Sequence, residues 1–213
     1  AYLCSLGGGH VATDQALQIH FHVHAVPQVE LLADYEMDYI REKTGRLPAI
    51  RGLDYMHDDF DGANKRAAQW WQQGGLVTIC WHTGADFTGE WKDCMESTIP
   101  DWDAVLTPGT AEHDSFLAGM DKAGHALLEL QEQGVTVLRR PFHEFDGKWL
   151  WWGKGGPERF VRLWRLMYTH FTNDLGLNNL IWVLGYSHLY PDYDGWYPGD
   201  EYVDVIGAVS YEG

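Results

Sequence analysis

Short apolar runs alternate along the chain with longer stretches of helical periodicity. "LPAIRGLDYM" (47–56), "LVTICWHTG" (76–84), "VTVLRRPFHE" (135–144), "NLIWVLGYS" (179–187) and "YVDVIGAVSY" (202–211) have the length and β-branched content of strands. Between them, "NKRAAQWWQQGG" (64–75), "SFLAGMDKAGHALLELQEQG" (115–134) and "PERFVRLWRLMYTHFTNDLG" (157–176) place apolar residues at helical spacing. The second ends on a glycine, and Pro157 suits a first helical turn. A stretch rich in Asp, Thr and Gly, residues 84–112, reads as a loop. This alternation predicts βαβ units and a parallel sheet.

Each predicted strand begins apolar and ends in reactive side chains: Asp54 and Tyr55, Trp81 and His82, His143 and Glu144, Ser187 and His188, Ser210 and Tyr211. A (β/α)8 barrel presents its active site in this way, on the loops after its strands. An open doubly wound sheet obeys the same rule but is expected to carry a glycine-rich phosphate turn. "SLGGGH" (5–10) fits neither GxGxxG nor the P-loop pattern. No repeat of solenoid length is present.

Composition narrows the partners. The 213 residues suit one domain, and 15 basic against 31 acidic residues give a net charge of −16. That balance argues against nucleic acid and anionic membrane, which need a positive footprint, and no apolar run reaches transmembrane length. The chain starts with Ala and shows no signal-peptide pattern at its start. The 11 Trp and 11 Tyr either fill a core or stack on the apolar faces of sugars. Cys4, Cys80 and Cys94 form no CxxC pair, so a structural zinc site is not expected. Spacing leaves a Cys80–Cys94 disulfide open.

The segment "RRPFHEFDGKWLWWG" (139–153) concentrates the candidate chemistry: one carboxylate, Glu144, followed by Trp149, Trp151 and Trp152. A glycosidic oxygen leaves poorly unless it is protonated as its bond breaks, and a carboxyl among aromatic rings is suited to keep that proton. The plain structural alternative is an ion pair of Glu144 with Arg139 or Arg140. For the tryptophans it is core packing. A second constellation is "HFHVH" (20–24), in which His20, His22 and His24 would share one face of a strand. With His82, His143 and His188 they would suit a metal-dependent hydrolase barrel, although histidines more often serve other roles.

"RPFHE" followed by "DGKWLWWG" resembles glycoside hydrolase family 26, the retaining β-mannanases and their relatives. "KTGRLPAIRGLDY" (43–55), "VTICWH" (77–82), "NLIWVLGYS" (179–187) and "YPGDEYVDVIG" (197–207) match in the same order. The resemblance implies a (β/α)8 barrel that hydrolyses β-1,4-mannan-type polysaccharide by double displacement, with β-1,3-xylan or mixed-linkage β-glucan as alternative substrates. It makes Glu144, at the end of the fourth barrel strand, the general acid/base. It makes His143, Trp149, His82, Trp81, Asp54 and Tyr55 substrate-binding, with Tyr211 beside the nucleophile. It implies no metal or cofactor, a secreted protein, and a monomer at full length. The family's nucleophile is a Glu after the seventh strand. The chain is expected to hold about the first six βα units, with that Glu beyond its last residue. A carbohydrate-binding protein without catalysis is the non-enzymatic alternative.

Overall fold

A computed structural model of the chain describes residues 35–187 and 195–209. Five strands form one parallel sheet: β1 (Ile50–Asp54), β2 (Leu76–Cys80), β3 (Val137–Arg139), β4 (Leu180–Ser187) and β5 (Val205–Val209). Helix α1 (Tyr35–Thr44) precedes β1, and α2 (Phe60–Gln72) joins β1 to β2. Two short helices, α3 (Trp91–Glu96) and α4 (Trp102–Val105), and the long α5 (Ala111–Glu132) lie between β2 and β3. The β3–β4 connection holds α6 (Trp151–Lys154) and α7 (Pro157–Thr169), which runs on through a wider turn at His170–Asp174.

The strands stand in chain order, β1-β2-β3-β4-β5, every neighbouring pair parallel. A doubly wound sheet reverses its strand order at a switch point; this one does not. Right-handed crossovers that all step the same way put every connecting helix on one face. That is the wall of a (β/α)8 barrel.

Strand alternation divides the side chains between the two faces. On the outer face Leu53, Val77, Ile79, Val137, Trp182 and Leu184 join the core formed with the helices. Helix α2 contributes Ala63 and Ala67, whose small side chains allow close approach, and α5 adds Met120, Leu127 and Leu130. Helix α7 buries Phe160, Leu163, Trp164 and Met167, spaced for one helical face. Each fully buried side chain of this size contributes about 2–3 kcal/mol. On the inner face Leu76, Leu138 and Val183 pack with Ile50 and Val205 as an apolar floor. The register carries the same face up to Asp54 and Cys80, which pair, and to Ser187 opposite Val209. The inner face is therefore apolar at the amino ends of the strands and polar at the carboxyl ends.

The elements depart from the expected pattern in two places. The strand expected over 135–144 ends at Arg139, because Pro141 has no N–H for the ladder and Phe142 and Glu144 take left-handed backbone at φ 49° and 54°. The stretch 84–112 is not bare loop. Asp101 accepts from Ala104 N to start α4, Glu90 and Asp93 cap α3 reciprocally, and Thr110 accepts from His113 N to start α5. Of the six expected βα units, five strands are described. Tyr211, His20, His22, His24 and His188 lie outside the described residues.

Candidate active site

The site is built on the turn after β3. Arg140 N donates to Ile79 O at 2.9 Å, the last sheet-like bond of this segment, and Glu144 N then donates to Gly185 O on β4 at 2.8 Å. Between them the chain turns sharply through Pro141, Phe142 and His143. Left-handed backbone at a residue other than glycine costs about 1–3 kcal/mol, and it persists where the surroundings overdetermine it. Here the indole N–H of Trp152 donates to His143 O at 2.8 Å, and Trp151 Nε1 donates to Thr83 O at 2.8 Å. Both rings are fully buried against Phe142 and Phe116. Trp151 and Trp152 are therefore core residues that brace the turn from behind.

Glu144 is 4% exposed, and its Oε2 accepts from Trp149 Nε1 at 3.0 Å. Trp149 is half-buried, with its ring lying over Gly147, where a Cβ would collide with it. The structural ion pair considered for Glu144 does not form with the neighbouring arginines. Arg139 points to the outer layer and donates to Ile79 O at 3.2 Å, with burial drawing its pKa down. Arg140 is buried, and its Nε and Nη1 have no hydrogen-bond partner. A second carboxyl, Asp146, follows closely; its Oδ1 accepts from Ser187 N at 2.7 Å and ties the turn to the end of β4. Burial pushes the Asp146 pKa up, against the hydrogen bonds from Ser187 and its own backbone, and the nearby Glu144 charge adds to the rise.

Against His143 of the turn stand His82 and, behind it, Asp54. Asp54 Oδ1 accepts from the backbone N–H of both Met56 and His82, at 3.0 Å each. Asp54 Oδ2 meets His82 Nδ1 at 2.5 Å, and His82 Nε2 meets His143 Nε2 at 3.0 Å, the two rings edge to face. Burial alone would lower the His82 pKa; the charge and hydrogen bond of Asp54 outweigh it and raise the pKa to about 10. The donor atoms of Asp54, Cys80 and His82 lie within 4.8 Å of one another, a spacing compatible with a metal ion. The short Asp54–His82 bond already engages two of the three with each other. Cys80 and Cys94 are buried and form no disulfide with each other, and burial pushes the Cys94 thiol up.

The structure thus brings together Glu144, Trp149, His143, His82 and Asp54. It does not bring Tyr55 and Trp81, expected to contact substrate, to the same face as them. Tyr55 is wholly buried in the outer layer, its hydroxyl donating to Asn64 Oδ1 at 2.8 Å. Asn64 in turn donates to Ala126 O at 2.7 Å and Glu129 Oε2 at 3.1 Å, linking α2 to α5. Trp81 packs between Phe60 and Phe87 in the same layer. Asp146 was not singled out from the sequence, since its role rests on a backbone N–H 41 residues downstream.

The model of glycosyl hydrolase family 26 matches residues 20–213. The chain belongs to that family. It is 37% identical over 192 residues to mannan endo-1,4-beta-mannosidase A and B of Caldalkalibacillus mannanilyticus, covering 80% of this chain and 37% of that protein. It is 33% identical over 196 residues to a Bacillus subtilis mannan endo-1,4-beta-mannosidase, covering 83% and 54%. Among solved structures, a beta-mannanase from a symbiotic protist of the termite Reticulitermes speratus, complexed with gluco-manno-oligosaccharide, superposes with a TM-score of 0.77. The identity is 32%, over 88% of this chain and 62% of that one. The chain spans between about a third and about half of the length of these curated relatives.

Proposed function

We propose that the protein is a retaining endo-β-1,4-mannanase in which Glu144 is the general acid/base. The observation that carries this is the Glu144 carboxyl at a strained strand end, held by the N–H of a half-buried indole. The unprotonated oxygen of a carboxyl is the better acceptor, so the Trp149 N–H on Oε2 orients the acid as well as lying beside it. In the first step Glu144 protonates the glycosidic oxygen as the bond to the leaving sugar breaks. In the second it accepts a proton from the attacking water. Retention also requires a second carboxylate about 5–5.5 Å from the first, to carry the glycosyl group between the steps. We assign that role to no described residue. The mannanase names of the relatives support β-1,4-mannan as substrate. A polymeric substrate of this kind lies outside cells, which supports secretion. No described helix is long and apolar enough to cross a membrane.

The test combines a substrate panel with one substitution. Reducing-sugar release is expected from mannan and not from β-1,3-xylan or lichenan; release from either of those instead moves the substrate assignment within the family. Glu144→Gln should lower mannan hydrolysis by about 10²–10⁴-fold, the range for general acid catalysis. On a dinitrophenyl mannoside, whose leaving group needs no proton, the first step should stay within about tenfold. Equal losses on both substrates would remove Glu144 from the role. A protein that binds mannan without cleaving it would be the non-catalytic alternative.

A further inference from the structure

We propose that Asp54 is a positioning residue, not a sugar ligand: through the His82 ring it holds His143, and with it the peptide that carries Glu144. The proposal rests on the acid/base reading of Glu144. Its starting point is that both Asp54 oxygens are committed. One accepts two backbone N–H groups, of Met56 and of His82 itself, and the other takes the His82 ring nitrogen. The His82 side chain is 4% exposed and that of Asp54 12%, and each is engaged by the other. The grip therefore fixes the His82 backbone, its ring plane, and the proton on Nδ1 at once.

The contact between His82 Nε2 and His143 Nε2 needs one proton between two nitrogens. Two arrangements satisfy it. Either His82 is neutral and His143 donates, or His82 is an imidazolium and donates to a neutral His143 protonated at Nδ1. Ionisable groups near this pair include Cys80 on β2, Cys94 on α3, Arg139 and Arg140 at the end of β3, and Glu144, which follows His143 and accepts from Trp149 Nε1. Asp54 is the anion in direct contact with the His82 ring, and the raised His82 pKa agrees with the second arrangement. His143 is then clamped at two points, its ring by His82 and its carbonyl by Trp152 Nε1. The next residue is Glu144. A strut thus runs from β1 across β2 to the acid. It resists relaxation of the left-handed backbone at Phe142 and Glu144.

The experiment uses nuclear magnetic resonance of the 15N-histidine-labelled protein together with kinetics. In the wild type we expect a scalar coupling between two imidazole nitrogens across an N–H···N hydrogen bond. The proton should sit on a ring protonated at both nitrogens, and this state should persist from pH 6 to pH 9. This needs no variant, so it stands even if substitution of Asp54 prevents folding. Asp54→Asn keeps one acceptor oxygen but loses the charge. The doubly protonated ring should become singly protonated near neutral pH, and kcat on mannan should fall about 100-fold, the effect of misplacing a reacting group by about 1 Å. KM should change by less than about threefold, since no sugar contact is removed. Absence of the coupling, a neutral donor ring at pH 7, or a folded Asp54→Asn protein that keeps its kcat would each overturn the proposal. So would a loss confined to KM, which would return Asp54 to the sugar. A wild type that shows the coupling but does not cleave mannan sinks the mannanase reading and leaves the strut standing.

Discussion

Asp54 and Tyr55 are neighbours in the chain, as are Trp81 and His82, yet each pair is divided between the two faces of the sheet. Asp54 and His82 meet on the inner face at 2.5 Å. Tyr55 and Trp81 lie in the outer layer, where Phe60 packs against both rings. The inner set makes polar contacts that converge on the turn carrying Glu144. The outer set makes ring contacts that hold helices against strands. A motif read as a string treats four such residues as one site. Strand geometry, with its period of two, assigns them two different tasks.

The same division runs through the tryptophans of one short segment, and it yields the largest expected effects. Trp149 is half-buried and donates to the Glu144 carboxylate; Trp152 is fully buried and donates to a backbone carbonyl. Trp149→Ala should lower kcat/KM on mannan about 10²-fold through lost positioning of acid and sugar, with a smaller change in the denaturation midpoint. Trp152→Ala should cost about 3–5 kcal/mol of stability, the range for deleting a buried aromatic. Its residual activity should follow the folded fraction. If Trp149→Ala instead unfolds the protein and its refolded fraction is fully active, Trp149 belongs to the core side of the comparison.

Alkaline pH separates the faces in a second way. The His82 pKa is raised in the folded protein to about 10, from an ordinary value near 6.5. The stability this contributes is fully present below about pH 6.5 and is lost as pH rises through about 10. Burial also raises the Tyr55 phenol above its usual 10, so the unfolded chain ionises first there and stability falls further above pH 10. Urea midpoints between pH 7 and pH 11 should fall throughout. Tyr55→Phe should remove the part of the decline above pH 10 and leave the part below it. It should also lose about 1–3 kcal/mol, because the buried Asn64 Oδ1 loses its donor, while kcat on mannan stays unchanged. A drop in kcat at constant stability would put Tyr55 back at the sugar.

Much of this arrangement was legible in the chain, and the rest was hidden for physical reasons. The strand and helix alternation is plain because each strand buries one face and each helix one stripe, as in Phe160, Leu163, Trp164 and Met167. The end of β3 was overrun because "VTVLRRPFHE" reads as one β-like run, although Pro141 marks where the ladder stops. Helices α3 and α4 are too short for periodicity to reveal. Their caps at Glu90, Asp93 and Asp101 are the only local signal. The faces of Tyr55 and Trp81 follow from counting parity from the core residues Leu53 and Ile79. Asp146 could not be found that way, since its partner Ser187 is brought to it by the sheet and not by sequence spacing.

The smallest effect is the sharpest test of the division. Trp81 Nε1 is buried without a hydrogen-bond partner, in a layer of rings formed with Phe60 and Phe87. An unsatisfied buried N–H costs about 1–3 kcal/mol, and its removal is a gain. Trp81→Phe gives up part of the ring's packing and leaves a small void, a loss of similar size. The two terms oppose each other, so stability should change by no more than about 1 kcal/mol. The inner face should not register the change, because the His82 ring is held by Asp54 and His143 and not by the indole next to it. Unchanged kcat and KM on mannan oligosaccharides are therefore expected. A rise in KM at constant stability would mean that the Trp81 ring reaches the sugar, and the division of the strand ends between two faces would fail at this residue.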